Sequence, residues 1–457
     1  MWIIVLFLDS KGGSLLDNQG QAFRKPSIPA VFMQAFRTPD LRAKILFSLL
    51  IMGLFRMGSF IPAPGVSTVN VQQCLAVNEQ TSLLALANLF SGGALLQLSI
   101  FALGIMPYIT ASIIIQLLRV AVPRFEDLHK EGQQGQATLT QYTRYLTIFL
   151  GVLQSAGIVS LSFSNALFPG CPHPVVPNST PFTFIAMVLT MTAGTGVIMW
   201  LGELITERGI GNGMSLLIFT SITATLPAQL YNIGIGAGWL RVAGIVLLIL
   251  AITAAVVYVE QAQRRIPVQY AKRMVGRRVM GGSSTYIPLK INMAGVIPVI
   301  FSTSILAMPA LLTNFGDPNS ATTAWVRDNL SQTSWLYLLL DGLLILFFTF
   351  FYTSITFNPE EVADNMKRYG GFIPGIRAGR PTAEYLSYVI SRITSAGALY
   401  LLAVAMIPAI VMIMMNLGEG GLPFGGTTLL IVVGVGLQTV KEINSQLQKH
   451  SYEGFLV

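Results

Sequence analysis

The chain has 457 residues, 53% hydrophobic and only 11% charged, where soluble domains carry roughly 25% charge. Charge-free runs recur from end to end, which excludes one large soluble domain and indicates a membrane protein with many spans. A formal charge of +8 would suit nucleic acid or an anionic surface, and the placement of that charge along the chain decides its meaning.

The chain opens with MWIIVLFLDS. Its apolar run before Asp9 is too short to span a bilayer, and it lacks the basic start of a signal peptide. Ten apolar segments then fit membrane-crossing helices: about 45–62, 99–118, 145–163, 182–203, 213–230, 241–259, 292–312, 335–356, 393–415 and 426–445. The first of them contains Arg56. Between the first and second lies QTSLLALANLFSGGALLQLSIFALGIMPYITASIIIQLL, 39 residues without a charge between Glu79 and Arg119. A span needs roughly 20 apolar residues, so this stretch is too long for one crossing and barely enough for two.

Basic residues fix the sidedness. One side carries Arg24, Lys25, Arg37, Arg42 and Lys44, then Arg119, Arg124, Lys130, Arg144 and Arg208. The same side carries Arg264, Arg265, Lys272, Arg273, Arg277, Arg278 and Lys290, then Lys367, Arg368, Arg377, Arg380, Arg392, Lys441 and Lys449. The other side carries Arg241 and Arg327. Lys and Arg accumulate in cytoplasmic loops, so both termini are expected in the cytoplasm. Residues 57–79 hold no Lys or Arg and residues 119–144 hold four. The ends of the long apolar stretch therefore face opposite sides, and it crosses once. Its surplus, roughly 83–98, either re-enters from outside and returns or lies flat as an amphipathic helix. Gly92 and Gly93 permit the sharp turn that re-entry needs, and geometry leaves both readings open.

Ten spans divide into two fives of opposite starting side. If the halves, 33–230 and 231–457, are related, they are inverted repeats, hinged near 227–241 (PAQLYNIGIGAGWLR). Cys74 and Cys171 both fall on the outer side, as a disulfide or as two free thiols. His129, His173 and His450 offer no metal-ligand spacing.

Two cytoplasmic loops stand out. Residues 260–291 are strongly basic, with Gly276 and Gly281–Gly282 as turn material between alternating stretches, and read as a protruding β-hairpin. Residues 357–392 carry a turn-rich PGIRAGRP tip presenting Arg377 and Arg380. Basic loops can simply lie on anionic lipid. An ordered hairpin better suits phosphate, such as ribosomal RNA, or an acidic protein partner.

The ionisable groups in or near the spans are Arg56, Glu203, Asp341, Lys441 and Glu442. Glu203, Lys441 and Glu442 sit at cytoplasmic ends. Asp341 and Arg56 fall in the outer third, where a long Arg can snorkel to the interface. None forms the midplane ion site that a transporter needs. No Walker lysine and no histidine pair supports an enzyme.

Several long stretches carry a resemblance: NLFSGGAL, SIFALGIMPYITASIIIQLL, QYTRY, WLGELITERGIGNGMS, QRRIPVQYAKR, GRRV, INMAGVIPVIF, FNPEEVADN, GGFIPGIR and FGGTTLLIVVGV. With them the chain resembles the SecY family, channel subunits of the bacterial protein translocase, from about Phe36 to Phe455. Residues 1–32 do not match the family's usual start, which looks like Met33; they are expected to form an atypical extension. The resemblance implies an all-α polytopic fold, with ten transmembrane helices in two inverted halves around an hourglass pore. It implies a re-entrant plug helix near 83–98, including Leu83, Leu86, Asn88, Phe90, Ser91, Gly92 and Gly93, with the second span beginning near Ser99. It implies a pore ring of Ile105, Ile109, Met214, Ile218, Ile300 and Ile431. The departure in that ring is Met214, where Ile is common; Met has similar bulk and more freedom. Thr110, Gln116, Asn292 and Met308 would line a lateral gate, the polar ones latching it.

Lys272, Arg273, Arg277, Arg278 and Arg377 would meet the ribosome and the motor ATPase SecA. Ala378, where proline is common, should loosen that tip slightly. The implied function is a protein-conducting channel without catalytic residue, metal or cofactor. It would move unfolded, signal-bearing preproteins across the bacterial plasma membrane and release apolar segments into lipid, with SecE and SecG as fellow subunits. The alternative is an inverted-repeat secondary transporter.

Overall fold

The computed structural model describes residues 28–77, 91–164, 167, 171, 173–270, 273–275, 278–280, 284–313, 325–326, 329, 334–414 and 426–453. The elements run α1 (Ile28–Arg37), α2 (Pro39–Gly58), α3 (Thr68–Val77), α4 (Met106–Ala121), α5 (Pro123–Lys130), α6 (Gln133–Phe163), α7 (Pro181–Arg208), α8 (Gly213–Ala237) and α9 (Trp239–Gln261). Then come β1 (Gln263–Tyr270), β2 (Arg273–Val275), β3 (Arg278–Met280), β4 (Ser284–Lys290), α10 (Ile297–Thr313), α11 (Trp335–Thr356), α12 (Pro359–Arg368), β5 (Gly371–Phe372), α13 (Arg380–Met414) and α14 (Gly426–Glu453).

A helix occupies each of the ten predicted segments: α2, α4, α6, α7, α8, α9, α10, α11, α13 and α14. Among the described residues, seven helices are long and apolar enough to cross a membrane, and α4 with α5, bent by 96°, makes an eighth if the pair is one span. The shortfall from ten has physical causes. Helix α2 carries Asp40, Arg42, Lys44 and Arg56, and α10 is apolar but short.

The second span starts later than expected. Ser99 bridges to Pro62, residues 100–105 are turns, and α4 begins only at Met106. Pro107 fits the first turn of a helix but not its interior, where its ring would clash and a hydrogen bond would be lost. The freed backbone pairs elsewhere. Ala63 N donates to Leu98 O at 2.9 Å and Ile100 N to Ile61 O at 2.9 Å. The stretch 227–241, expected as a hinge, is almost wholly helical. Helix α8 continues through Pro227 to Ala237, and α9 starts at Trp239. The turn is Gly238 alone, at φ 92°, a value that glycine adopts freely.

Helix starts follow local chemistry. Thr180, Asn212, Ser334 and Asn358 cap α7, α8, α11 and α12 with their side-chain oxygens, satisfying amides that have no intrahelical partner. Thr143, Thr147, Thr192, Thr349 and Thr353 are buried and donate to the carbonyl four residues back. Their hydroxyls are thus satisfied without water.

The predicted hairpin is present and longer than expected. Strands β1 and β4 pair antiparallel from Gln263↔Lys290 to Gln269↔Ser284, and β2 and β3 continue it from Arg273↔Met280 to Val275↔Arg278. Strand β5, from the second basic loop, adds to β1 through Gln269↔Phe372 and Tyr270↔Gly371. Ile266, Val268 and Leu289 of the hairpin are buried with Met366, Ile373, Leu386, Val389, Ile390 and Ile393. The two loops therefore form one platform with its own apolar core, not two independent projections.

Cys74 and Cys171 are joined by a disulfide, their Cα atoms 5.4 Å apart. It lies in an apolar cluster with Leu95, Leu98, Val159, Val175 and Met187.

Candidate functional site

The six residues expected in a ring come from four stretches of chain. Ile105 precedes α4 and Ile109 lies one turn into it. Met214 and Ile218 are four apart near the start of α8, while Ile300 sits in α10 and Ile431 in α14. Pro107 and the Asn212 cap fix where α4 and α8 begin, and so aim each pair along one helix face. All six fall in one apolar cluster. Ile105, Ile109, Met214, Ile218 and Ile431 are buried, and Ile300 is half-buried. Ile113, Ile198, Leu201, Ile222 and Phe301 surround them.

Met214 is accommodated by a glycine. A Cβ on Gly202 would lie 2.5 Å from the Met214 sulfur, and one on Gly213 would lie 1.9 Å from the Gly202 carbonyl oxygen. Helices α7 and α8 thus meet backbone to backbone beside the ring, leaving room for the unbranched side chain.

Of the segment expected to plug the channel, Leu83, Leu86, Asn88 and Phe90 lie outside the described residues. Residues 91–98 form turns, not a helix. Gly92 and Gly93 have φ of 69° and 90°, the region where only glycine is unstrained. Ser91, Ala94, Leu95 and Leu98 are buried, and Ser91 Oγ accepts from Leu95 N at 3.1 Å. The turn is held by Arg56. Its guanidinium donates to the Gly92 carbonyl and lies over the Phe60 ring, 5.1 Å from its centroid. The expectation that Arg56 snorkels towards lipid headgroups is corrected here. A carbonyl freed by the glycine turn sits within reach and accepts a charge-assisted bond from the guanidinium. An arginine in an apolar span without an acidic neighbour was the signal for such a role.

Among the described residues, no hydrogen bond joins the gate residues to one another. Thr110 donates to Met106 O of its own helix at 3.0 Å, and Gln116 is half-buried in α4. Asn292, 3% exposed, donates to Glu260 Oε1 at 2.5 Å and to Gly295 O at 3.0 Å. Met308 lies in α10. Helices α4 and α10 do pack against each other.

Three of the remaining ionisable groups are bound to neighbours. Arg144 grips Glu203 with two bonds, 2.8 and 2.9 Å. Asp341 is buried and accepts from Ser302 at 2.5 Å. Glu442 accepts from Gln446 at 3.2 Å. Among the described residues no group of three His, Cys, Asp or Glu could hold a metal.

On the platform, Arg273 and Arg278 lie in β2 and β3 at the distal end of the hairpin, while Lys272 and Arg277 fall outside the described residues. Arg377 is exposed, in a turn flanked by Gly375 and Gly379 at φ 84° and 103°. Its carbonyl accepts from Thr382 Oγ1 at 2.9 Å, so the turn has a fastening of its own despite Ala378.

A family model described as SecY matches residues 99–440. The protein translocase subunit SecY of Streptomyces scabiei is 58% identical over 433 residues, covering 93% of this chain and 99% of its own. A solved structure concerned with the plug domain of the SecY protein and the closed state of its translocation channel superposes with a TM-score of 0.60 at 15% identity, over 96% of both chains. Sec61 in a canine ribosome–channel complex from the endoplasmic reticulum superposes at 0.56 and 14% identity, again over 96% of both. At these identities the structures speak for the fold alone. The matched family model and the close relative carry the assignment: the chain belongs to the SecY family of protein translocase subunits.

Proposed function

We propose that the protein is the channel subunit of a bacterial Sec translocase, and that Ile105, Ile109, Met214, Ile218, Ile300 and Ile431 form its seal. One observation carries this reading: six aliphatic side chains, from helices far apart in sequence, converge on a single buried cluster. Such a ring excludes ions by dewetting. It is held by dispersion contacts, each worth only about 0.1–0.2 kcal/mol per atom pair, so it can part around a polypeptide and close again. The Gly92–Gly93 turn, seated against Arg56 and Ser221, supports a plug on the outer side of the seal. An apolar signal helix would leave between α4 and α10, gaining roughly 25 cal/mol per Å² of apolar surface removed from water.

The platform is the cytoplasmic face in this reading. Arg273, Arg278 and Arg377, with Lys272 and Arg277, meet the ribosome or SecA. SecE and SecG are the companion subunits, the membrane is the bacterial inner membrane, and both termini are cytoplasmic. The transporter alternative needs a free ionisable group along a pathway, whereas Arg56, Glu203 and Asp341 are each engaged by a neighbour.

The test replaces Ile218 and Ile300 together by glycine and records ion conductance across planar bilayers. The expected outcome is a resting leak that the parent protein lacks. Unchanged conductance in a folded variant would remove the ring from the mechanism.

A further inference from the structure

The contact between Glu260 and Asn292 lies where the cytoplasmic hairpin becomes the gate helix. Helix α9 ends at Gln261 and β1 starts at Gln263, while β4 ends at Lys290. Gln263 pairs with Lys290, and Ile291 N donates to Ala262 O at 3.2 Å. Asn292 Nδ2 to Glu260 Oε1, at 2.5 Å, is the next rung, now made by side chains. The ladder thus passes from the hairpin into the membrane end of α9 without a gap.

The same asparagine holds the bend that follows. Its amide also donates to Gly295 O at 3.0 Å, and Gly295 has φ 64°. Helix α10 starts two residues later. The bend is enclosed. A Cβ on Gly397 would fall 2.6 Å from Ile291 O, and one on Gly434 would fall 2.9 Å from the Val296 side chain. Asn292 is almost wholly buried, and its Oδ1 has no hydrogen-bond partner among the described residues. Both hydrogens of its amide are therefore committed to orientation. Lys290, Lys441 and Tyr400 lie close enough to Glu260 to interact with its charge.

From this geometry we propose that Glu260 is a positioning residue of the gate. Through Asn292 it fixes the bend at Gly295 and makes the base of the hairpin and helix α10 move as one piece. A load on the platform is then delivered to α10 directly. The proposal rests on the reading of α4 and α10 as the gate, and its test does not depend on polypeptide being conducted.

The full chain, purified with its companion subunits and placed in liposomes, would carry spin labels in two pairs. One pair spans the gate (Ser112→Cys with Ile305→Cys), and the other joins hairpin to helix (Gln269→Cys with Ile305→Cys). Both native cysteines are in the disulfide, so labelling is confined to the new sites. Glu260→Ala is expected to broaden both distance distributions. Glu260→Gln, which keeps an oxygen for the Asn292 amide, is expected to leave them as in the parent. Asn292→Ala should broaden them as Glu260→Ala does, and the double variant should go no further. Parent-like distributions in Glu260→Ala, or equal broadening in Glu260→Gln, would overturn the proposal; the latter would make charge opposite Lys290 and Lys441 the operative feature. Preprotein transport by the same liposomes tests the channel reading separately.

Discussion

Replacing Arg56 by methionine keeps most of the length and apolar stem of the side chain and removes the charged guanidinium with its N–H donors. That group bonds the Gly92 carbonyl, at the turn where residues 91–98 join an apolar cluster, and in the proposed channel this is a contact of the closed state. A hydrogen bond to a charged group contributes about 1.5–3 kcal/mol. The guanidinium is half-buried, which places the loss near the middle of that range. About 2 kcal/mol taken from the closed state alone raises the open-to-closed ratio roughly 30-fold, since each 1.4 kcal/mol is a factor of ten. Single-channel recording of the resting protein reads that ratio as the fraction of time spent conducting. Arg56→Lys should fall between the two, because an ammonium can reach one carbonyl but loses the planar contact over Phe60. Gly92→Ala attacks the same contact from the other side. Its Cβ would lie 2.8 Å from the Arg56 Nη1 and 3.2 Å from the Ser221 backbone, at a φ of 69°. If Arg56→Met conducts no more often than the parent, the turn is not held shut by this bond, and the plug's anchorage lies elsewhere.

Two further outcomes follow from the site. Arg377→Glu reverses an exposed charge in a fastened turn, so it should abolish SecA-driven export while leaving assembly and thermal stability within about 0.5 kcal/mol of the parent; normal export by inverted vesicles would remove Arg377 from the docking face. Arg144→Met and Glu203→Gln should each destabilise the α6–α7 pair, and a double-mutant cycle on thermal unfolding should show a coupling of about 1–2 kcal/mol. That range discounts a bidentate pair for the 40% and 21% exposure of its two side chains; additive effects would mean the pair contributes nothing.

The spans were legible because a run of about 20 apolar residues has few other uses. Misplaced helix starts trace to single residues. The apolar run from Ser99 reads as one helix until Pro107 is given its steric weight, and Gly238 does the work that a fifteen-residue weak stretch suggested. The platform was less legible. Strand β5 is two residues, Gly371–Phe372, and pairs with a strand about a hundred positions earlier; no local pattern announces that. Asn292 was picked out as a polar residue in an apolar setting, which is a sound signal of a partner. Its partner was hidden because Glu260 lies on the preceding helix, at an end where a lone acid reads as a solvated cap.

How the helices touch bears on how such a molecule could move. In lipid, association rests on close packing of small residues more than on burial of oil from water. Those close approaches occur inside each proposed half. A Cβ on Gly194 would meet Ile100 O at 2.1 Å and one on Gly213 would meet Gly202 O at 1.9 Å, both within residues 33–230. In the second half, Gly397 meets Ile291 O at 2.6 Å and Gly426 meets Val404 O at 1.8 Å. Among the described residues, every glycine that brings two elements' backbones this close joins parts of the same half. Across the halves the contacts are of another kind: the aliphatic ring, a small cluster of Ala35, Leu41, Ile210 and Ile443, and a 3.5 Å bond from Lys44 to Gln446. Backbone contacts cannot slide without moving whole helices, whereas methyl groups can slip past one another at little loss. This contrast in contact type supports the proposed division near Gly238, with close backbone approaches inside each half and separable side chains between them.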